Sequence, residues 1–230
     1  AAMHTALSDC TPILNVMSQI DSKLLGCNKG ALHETRDQAG MFERVTNWST
    51  SVNSVGEIVP AIQTAMRMMT TRRPGPTAIE IPTDVLAQTE TVRIPGKEEC
   101  PAPRADPEAI DRAVELLLAS ARPVIWAGGG VAYAAATEQL QGLSEILQAP
   151  VFSSCLGKGA LPEDHPLCLG NVSTDPAGRA MLGSADVALV IGTRFTERVT
   201  AGWTIPMPRQ VVQIDIEPEQ IGKVYPAEVG

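Results

Sequence analysis

Short apolar runs alternate along the chain with segments of helical period. Ile13–Ser18, Thr77–Ile81, Val124–Ala127, Val151–Ser154, Val187–Ile191 and Val211–Ile216 are each four to six residues long and mostly apolar at successive positions. A strand with one wet face alternates apolar and polar residues, whereas a strand covered on both faces of a parallel sheet does not. These six runs therefore predict buried parallel strands. Between them the period changes. Glu57–Thr71 sets Ile58, Ile62, Ala65, Met66 and Met69 on one face, and Glu108–Ala121 does the same with Ile110, Val114, Leu117 and Leu118. Asp106 is placed to cap the second of these helices, with Pro107 in its first turn. Strand–helix alternation of this kind predicts an α/β fold.

The segment from Asp84 to Arg104 interrupts the alternation, with three prolines, mixed charge and no sustained period. It is longer than a typical βα connection and reads as a linker. The expected organisation is an α/β unit over 1–86, a linker over 87–104 and a second α/β unit over 105–230. The second is expected to be a Rossmann-like parallel sheet with helices on both faces.

Composition narrows the function. Hydrophobic residues make up 44% and charged residues 19% of the 230 residues, a globular balance. A formal net charge of −8 supplies no electrostatic footprint for nucleic acid or an anionic membrane. The apolar runs, Val187–Ile191 among them, are too short to cross a bilayer, and no cationic leader precedes an apolar segment, so a cytoplasmic protein is expected. Five cysteines (Cys10, Cys27, Cys100, Cys155, Cys168) and three histidines (His4, His33, His165) show no metal-ligand spacing, so no metal site is assigned to them. The chain opens on Ala1 and closes on Pro226–Gly230 without a terminal helix, which reads as a fragment of a longer protein.

Three turns carry candidate chemistry. Gly128-Gly129-Gly130 follows the run PVIWA and precedes an alanine-rich helix expected near Ala132. Glycines there permit a tight turn and leave amides to face a phosphate, although Tyr133 stands where a strict GxGxxG fingerprint needs its last glycine. Gly192-Thr193-Arg194-Phe195 follows DVALVI in the same way, and a guanidinium at that point can grip a phosphate or merely pair with Glu197. Asp215, closing VVQID, can accept a ribose hydroxyl or cap the next turn.

The order of motifs resembles thiamine-diphosphate-dependent enzymes of the acetolactate synthase type. RRPGPTAIEIPTDV (Arg72–Val85) resembles the segment that closes their pyrimidine-binding domain. WAGGGV, PVFSSCLGKGALPEDHPLCLG (Pro150–Gly170), ADVALVIGTRFTERVT (Ala185–Thr200) and QIDIEPEQIGK (Gln213–Lys223) resemble successive motifs of their central domain. The resemblance covers nearly the whole chain, in order.

It implies an enzyme that decarboxylates a 2-oxo acid with thiamine diphosphate and Mg²⁺ and then protonates or ligates the carbanion, as a homodimer or homotetramer. Residues 1–86 would be the carboxyl-terminal half of the pyrimidine-binding domain. The glutamate that activates the cofactor and the GDG…N metal motif would lie outside this chain, leaving it inactive alone. In the central domain the resemblance implies FAD or ADP contacts at Gly128, Gly129, Gly130, Ser154, Cys155, Leu156, Gly192, Thr193, Arg194, Arg198 and Asp215, with Arg73 also reaching the dinucleotide. His33, in GALHETRDQ, aligns with a glutamine near the substrate and could handle protons or a carboxylate there. Two departures stand out. Asn171-Val172-Ser173-Thr174 replaces a Leu-Gly-Met-His stretch on the flavin side, and Thr196 replaces an acidic residue. The competing expectation is a non-catalytic nucleotide-binding module that keeps the central fold.

Overall fold

The computed structural model describes the chain from Ala1 to Gly230 apart from residues 97–99, 102, 172 and 174. The chain divides into two compact units, Ala1–Ala102 and Pro103–Gly230. In the first, α1 (Ala2–Asp9), β1 (Leu14–Gln19), α2 (Gln38–Glu43), β2 (Trp48–Ser51), α3 (Val55–Thr70), β3 (Thr77–Pro82) and α4 (Thr83–Leu86) follow one another. The strands run parallel in the order β1-β3-β2, and every residue of β3 is buried. From α3, Ala61 and Ala65 join Ile79 and Ile81 in the core. Alanines one helical turn apart let the helix lie close to the sheet, so the inward stripe is Ala61-Ala65-Met69. Ile62 and Met66, expected inward, are exposed. The loop after β1 is tied to α4 where the Ser22 amide and hydroxyl donate to the Asp84 carboxylate at 2.9 and 2.6 Å.

The second unit contains α5 (Pro107–Ala119), β4 (Pro123–Ala127), α6 (Gly129–Tyr133), α7 (Thr137–Leu147), β5 (Val151–Ser153), β6 (Cys168–Asn171), α8 (Pro176–Ser184), β7 (Val187–Ile191) and β8 (Gln210–Ile214). Its sheet is parallel throughout, in the order β6-β5-β4-β7-β8. Alternate residues of each central strand serve opposite cores. Ile125 and Leu189 pack with Leu117, Val131 and Leu140 from α5, α6 and α7. Trp126 and Val190 pack with Leu182 of α8 and with Phe195. Helices therefore cover both faces, as the unbroken apolar runs require.

Asp106 does cap α5, its carboxylate accepting from the Glu108 amide at 3.2 Å, with Pro107 in the first turn. The buried face of α5 is nevertheless rotated from the expected one. Ala109 and Leu117 are inside, whereas Ile110, Val114 and Leu118 are exposed. The helix is apolar around most of its circumference, so period alone offers two stripes, and the smaller side chains fit against the sheet. The helix after the triple glycine starts at Gly129 rather than near Ala132 and ends at Tyr133, before Ala135 takes a left-handed φ of 50°.

Asp186 clips the connection between α5 and β4 to the start of β7. It accepts from the Ser120 hydroxyl and from the amides of Ala121 and Arg122, the latter two at 2.8 and 3.1 Å. The Ser120 hydrogen bond first, and the two amides with it, hold its carboxyl at about 2. A depressed folded-state pKa stabilises the fold fully above the ordinary value of 3.8, and that contribution is lost as pH falls through about 2. Asp186→Ala is expected to cost about 1.5–3 kcal/mol near neutral pH, the range for hydrogen bonds to a charged group. The gap between wild-type and variant urea midpoints should narrow between roughly pH 4 and pH 2; a gap independent of pH would refute this role.

Beyond β8 the chain turns back. The Gln213 amide donates to the Val229 carbonyl at 2.9 Å and the Glu228 amide to that of Val211 at 2.8 Å, a parallel bridge along β8. Among the described residues no helix is long and apolar enough to cross a membrane. Nor do three or more His, Cys, Asp or Glu residues gather as metal ligands among them, and none of the five cysteines is in a disulfide.

Candidate functional site

From β4 the chain winds outward through β5 to β6, then recrosses the sheet to β7 and β8. The winding reverses between β4 and β7, and in open α/β sheets ligands occupy the crevice beyond the carboxyl ends of the strands at that reversal. Three turns emerge there: 128–130 after β4, 154–157 after β5 and 192–194 after β7.

These turns touch one another. The Gly128 amide donates to the Ile191 carbonyl at 2.7 Å, Gly130 to that of Gly192 at 3.1 Å, and Ser154 to that of Ala127 at 2.9 Å. A Cβ added to Gly128 would lie 2.2 Å from the Gly192 oxygen, and one added to Gly192 would lie 2.5 Å from the Gly130 Cα. The glycines thus let two backbones meet. Contrary to the expectation of free amides, those of Gly128 and Gly130 are engaged, and Gly129 is the glycine whose amide this pairing does not use.

Ser154 is also turned to local work. It is buried, and its hydroxyl oxygen accepts from the Gly157 amide at 3.0 Å. Cys155 and Leu156 are exposed on that turn, and the Leu156 Cβ would lie 3.3 Å from a Cβ on Gly129. The Asn171 amide nitrogen reaches the Cys155 sulfur at 3.3 Å. Of the departure at 171–174, Val172 and Thr174 fall outside the described residues, while the Asn171 Oδ1 accepts from the Ser173 amide and hydroxyl at 2.9 and 2.7 Å.

After β7, Thr193 is buried and Arg194 partly exposed. Two buried glutamines hold this turn, and sequence reasoning missed both. Gln220 Nε2 donates to the Arg194 carbonyl at 3.1 Å, and Gln213 Nε2 to the Gln220 carbonyl at 3.2 Å. For Gln213 the signal was an uncharged amide inside an otherwise apolar strand, since such a group persists only when paired; Gln220, in the turn after β8, offered none. The Gly192 amide donates to the Ile214 carbonyl at 2.8 Å, which brings Asp215 alongside. One Asp215 oxygen accepts from the Glu217 amide at 3.0 Å, so the turn-capping role is real, whatever else the carboxylate binds. Arg198 is exposed four residues beyond Arg194.

Under the 192–195 turn lies an aromatic stack. The ring of Phe195 meets Trp126 edge-on at 5.3 Å and Tyr225 at 4.9 Å between centroids.

Two candidates belong to the first unit. Arg73 lies on the turn before β3, its carbonyl accepting from Asn47 Nδ2 at 3.1 Å. His33 is exposed with a left-handed φ of 66°. Its neighbour Glu34 closes the loop, one carboxylate oxygen accepting from the Gly30 and Ala31 amides at 2.7 and 2.9 Å.

A doubly wound parallel sheet, with glycine turns meeting at its switch point and an arginine following one of them, defines an α/β unit of the Rossmann-like kind. Residues 110–230 match the family model described as thiamine pyrophosphate enzyme, central domain. The chain belongs to the thiamine pyrophosphate enzyme family. It is 36% identical over 98% of its length to a probable acetolactate synthase large subunit of Methanocaldococcus jannaschii, covering 39% of that protein. It is 35% identical over 99% of its length to a probable 2-ketoarginine decarboxylase of Pseudomonas aeruginosa, covering 41%. With a glyoxylate carboligase of Escherichia coli O157:H7 it shares 34% identity over its full length, covering 39%. The chain thus spans about two fifths of the length of these curated relatives.

Proposed function

We propose that this chain is the middle of a thiamine-diphosphate-dependent enzyme that decarboxylates a 2-oxo acid, and that its second unit serves that enzyme as a nucleotide-binding scaffold. The observation that carries the reading is the family's central-domain match over 110–230 combined with relatives that span both units. Residues 1–86 would then contribute the carboxyl-terminal half of the pyrimidine-binding domain, with His33 facing substrate. The metal and the diphosphate would be held by other parts of that enzyme. Thiamine diphosphate supplies an electron sink for the carbanion left by decarboxylation. Dimers or tetramers are the expected assembly.

The names of the relatives supply glyoxylate and 2-ketoarginine as substrates to try, with pyruvate added as a simple 2-oxo acid. The protein from the complete reading frame should release CO2 from pyruvate, glyoxylate or 2-ketoarginine only when thiamine diphosphate and Mg²⁺ are both added. Absence of turnover on all three would sink the catalytic reading and favour a nucleotide-binding module without chemistry. The 230-residue chain alone should bind no thiamine diphosphate; Mg²⁺-dependent micromolar binding, about −8 kcal/mol, would overturn the placement of the metal elsewhere.

For the second unit we propose ADP or FAD as ligand. Gly129, Thr193, Arg194, Arg198 and Asp215 are the groups offered to it, and Cys155 and Leu156 line the neighbouring turn. The fit is partial. The pairing of Gly128 and Gly130 with the 191–192 backbone leaves them shaping the crevice, and Ser154 supports its turn. Arg194 is the cation nearest the switch point in sequence, and Arg194→Ala should weaken ADP by roughly 1.5–3 kcal/mol, the worth of a hydrogen bond to a charged group. Calorimetric titration of wild type and variant measures it. Equal affinities would return Arg194 to a structural role.

A further inference from the structure

The segment after β7 contains a feature that the nucleotide reading does not use. Ala201, Gly202 and Trp203 adopt left-handed φ values of 49°, 72° and 58° in succession. Only glycine takes that conformation freely, so a bulky tryptophan held there is an outlier that needs compensation. The compensation is visible. The Trp203 amide donates to the buried Thr200 hydroxyl at 2.9 Å, and the Gly202 amide to the Glu197 carbonyl at 2.8 Å. The indole Nε1 donates to the Phe195 carbonyl at 3.1 Å. Phe195 is itself left-handed and locked between Trp126 and Tyr225.

This arrangement fixes an aromatic ring by its edge to the residue that follows Arg194, yet leaves it 55% exposed. Burial of the ring does not explain it, because more than half of its surface faces solvent. Nor is the position a mere turn: Asn or Gly would satisfy the backbone with less strain. A rigid, half-exposed indole bonded to the backbone of the residue that follows Arg194 suits a ligand with a flat ring at one end and phosphate at the other.

We infer that Trp203 is the stacking platform for the heteroaromatic ring of the nucleotide held by the 192–194 turn. The inference rests on the nucleotide reading and deepens it by naming a residue that touches the ring. The phosphate-side groups and the ring-side group should then respond separately to substitution.

The experiment titrates the 230-residue chain with ADP, FMN and inorganic pyrophosphate by calorimetry, and follows tryptophan emission in parallel. Wild type, Trp203→Phe, Trp203→Leu and Arg194→Ala are compared. ADP should quench part of the wild-type emission, and that part should be lost in Trp203→Phe, whose remaining emission comes from Trp48 and Trp126, while affinity stays within about threefold. Trp203→Leu should weaken the ring-bearing ligand about tenfold, the lower range for one stacked base, and leave pyrophosphate unchanged. Arg194→Ala should weaken all the ligands that bind. Whether ADP or FMN shows the larger loss tells which ring sits on the indole. Should Trp203→Leu misfold, the quench in wild type and its loss in Trp203→Phe decide the matter. If Trp203→Leu binds ADP and FMN like wild type while Arg194→Ala does not, Trp203 is a surface residue and the nucleotide reading survives. If no nucleotide binds wild type, both fall together.

Discussion

Gly192→Ala should be among the most damaging single changes in the second unit, lowering its stability by about 3–5 kcal/mol. Two effects add. The residue sits at a left-handed φ of 58°, where an L side chain is strained. Its new Cβ would also lie 2.5 Å from the Gly130 Cα and 2.9 Å from the Gly130 nitrogen, both backbone atoms that cannot rotate away. Relief requires the two turns to separate, breaking the bond from the Gly130 amide to the Gly192 carbonyl. Urea unfolding followed by the emission of buried Trp126 measures the loss. A variant as stable as wild type would show that the close approach of these turns is not required for folding.

Phe195→Ala should cost about 3–5 kcal/mol, the range for truncating a buried aromatic ring. The ring is fully enclosed and makes two edge-to-face contacts, so its removal leaves a cavity between Trp126 and Tyr225. Tyr225 is held at its other end by a bond from its hydroxyl to the Ile205 carbonyl at 3.1 Å, which limits its movement into the gap. Burial raises its phenol pKa above the ordinary value of 10.0. Thermal unfolding of the variant at neutral pH is the measurement, and a loss below about 1 kcal/mol would mean that the loop after β7 collapses into the space.

The central strands were legible because burial on both faces leaves an apolar run. β3, β4, β7 and most of β5 fall where that signal placed them. Of the edge strands, β1 and β8 lie within two residues of the runs at 13–18 and 211–216, while the other two lack the signal. β2 reads Trp-Ser-Thr-Ser, and β6 reads Cys-Leu-Gly-Asn with a register shift opposite Val151–Phe152, so neither was expected. The two helices expected over 57–71 and 108–121 were found, but the inward faces of α3 and α5 were misjudged, because hydrophobicity ranks isoleucine and methionine above alanine while close packing on a sheet favours the smaller side chain. At the site, the meeting of turns 128–130 and 192–194 follows from β4 and β7 lying side by side, a strand order that motif spacing does not give. The pairing of Gly128 and Gly130 with residues 191–192 did not follow, since it depends on a tertiary backbone contact. Gln220 and Trp203 were invisible to motif reasoning because their roles come from bonds to the carbonyls of Arg194 and Phe195 rather than from spacing.

The bridge along β8 bears on how copies of this molecule behave in concentrated solution. An open flank of a parallel sheet presents a row of unpaired amides and carbonyls, on which another molecule can add a strand. Along β8 the returning segment already engages the amide of Gln213 and the carbonyl of Val211. On the opposite flank, β6 is four residues long, contains Gly170 at a left-handed φ of 67° and is out of step with β5, a poor template for strand addition. Both margins of the second unit's sheet are thus blunted by different means, and association of its copies is directed away from strand pairing and toward helical faces and loops.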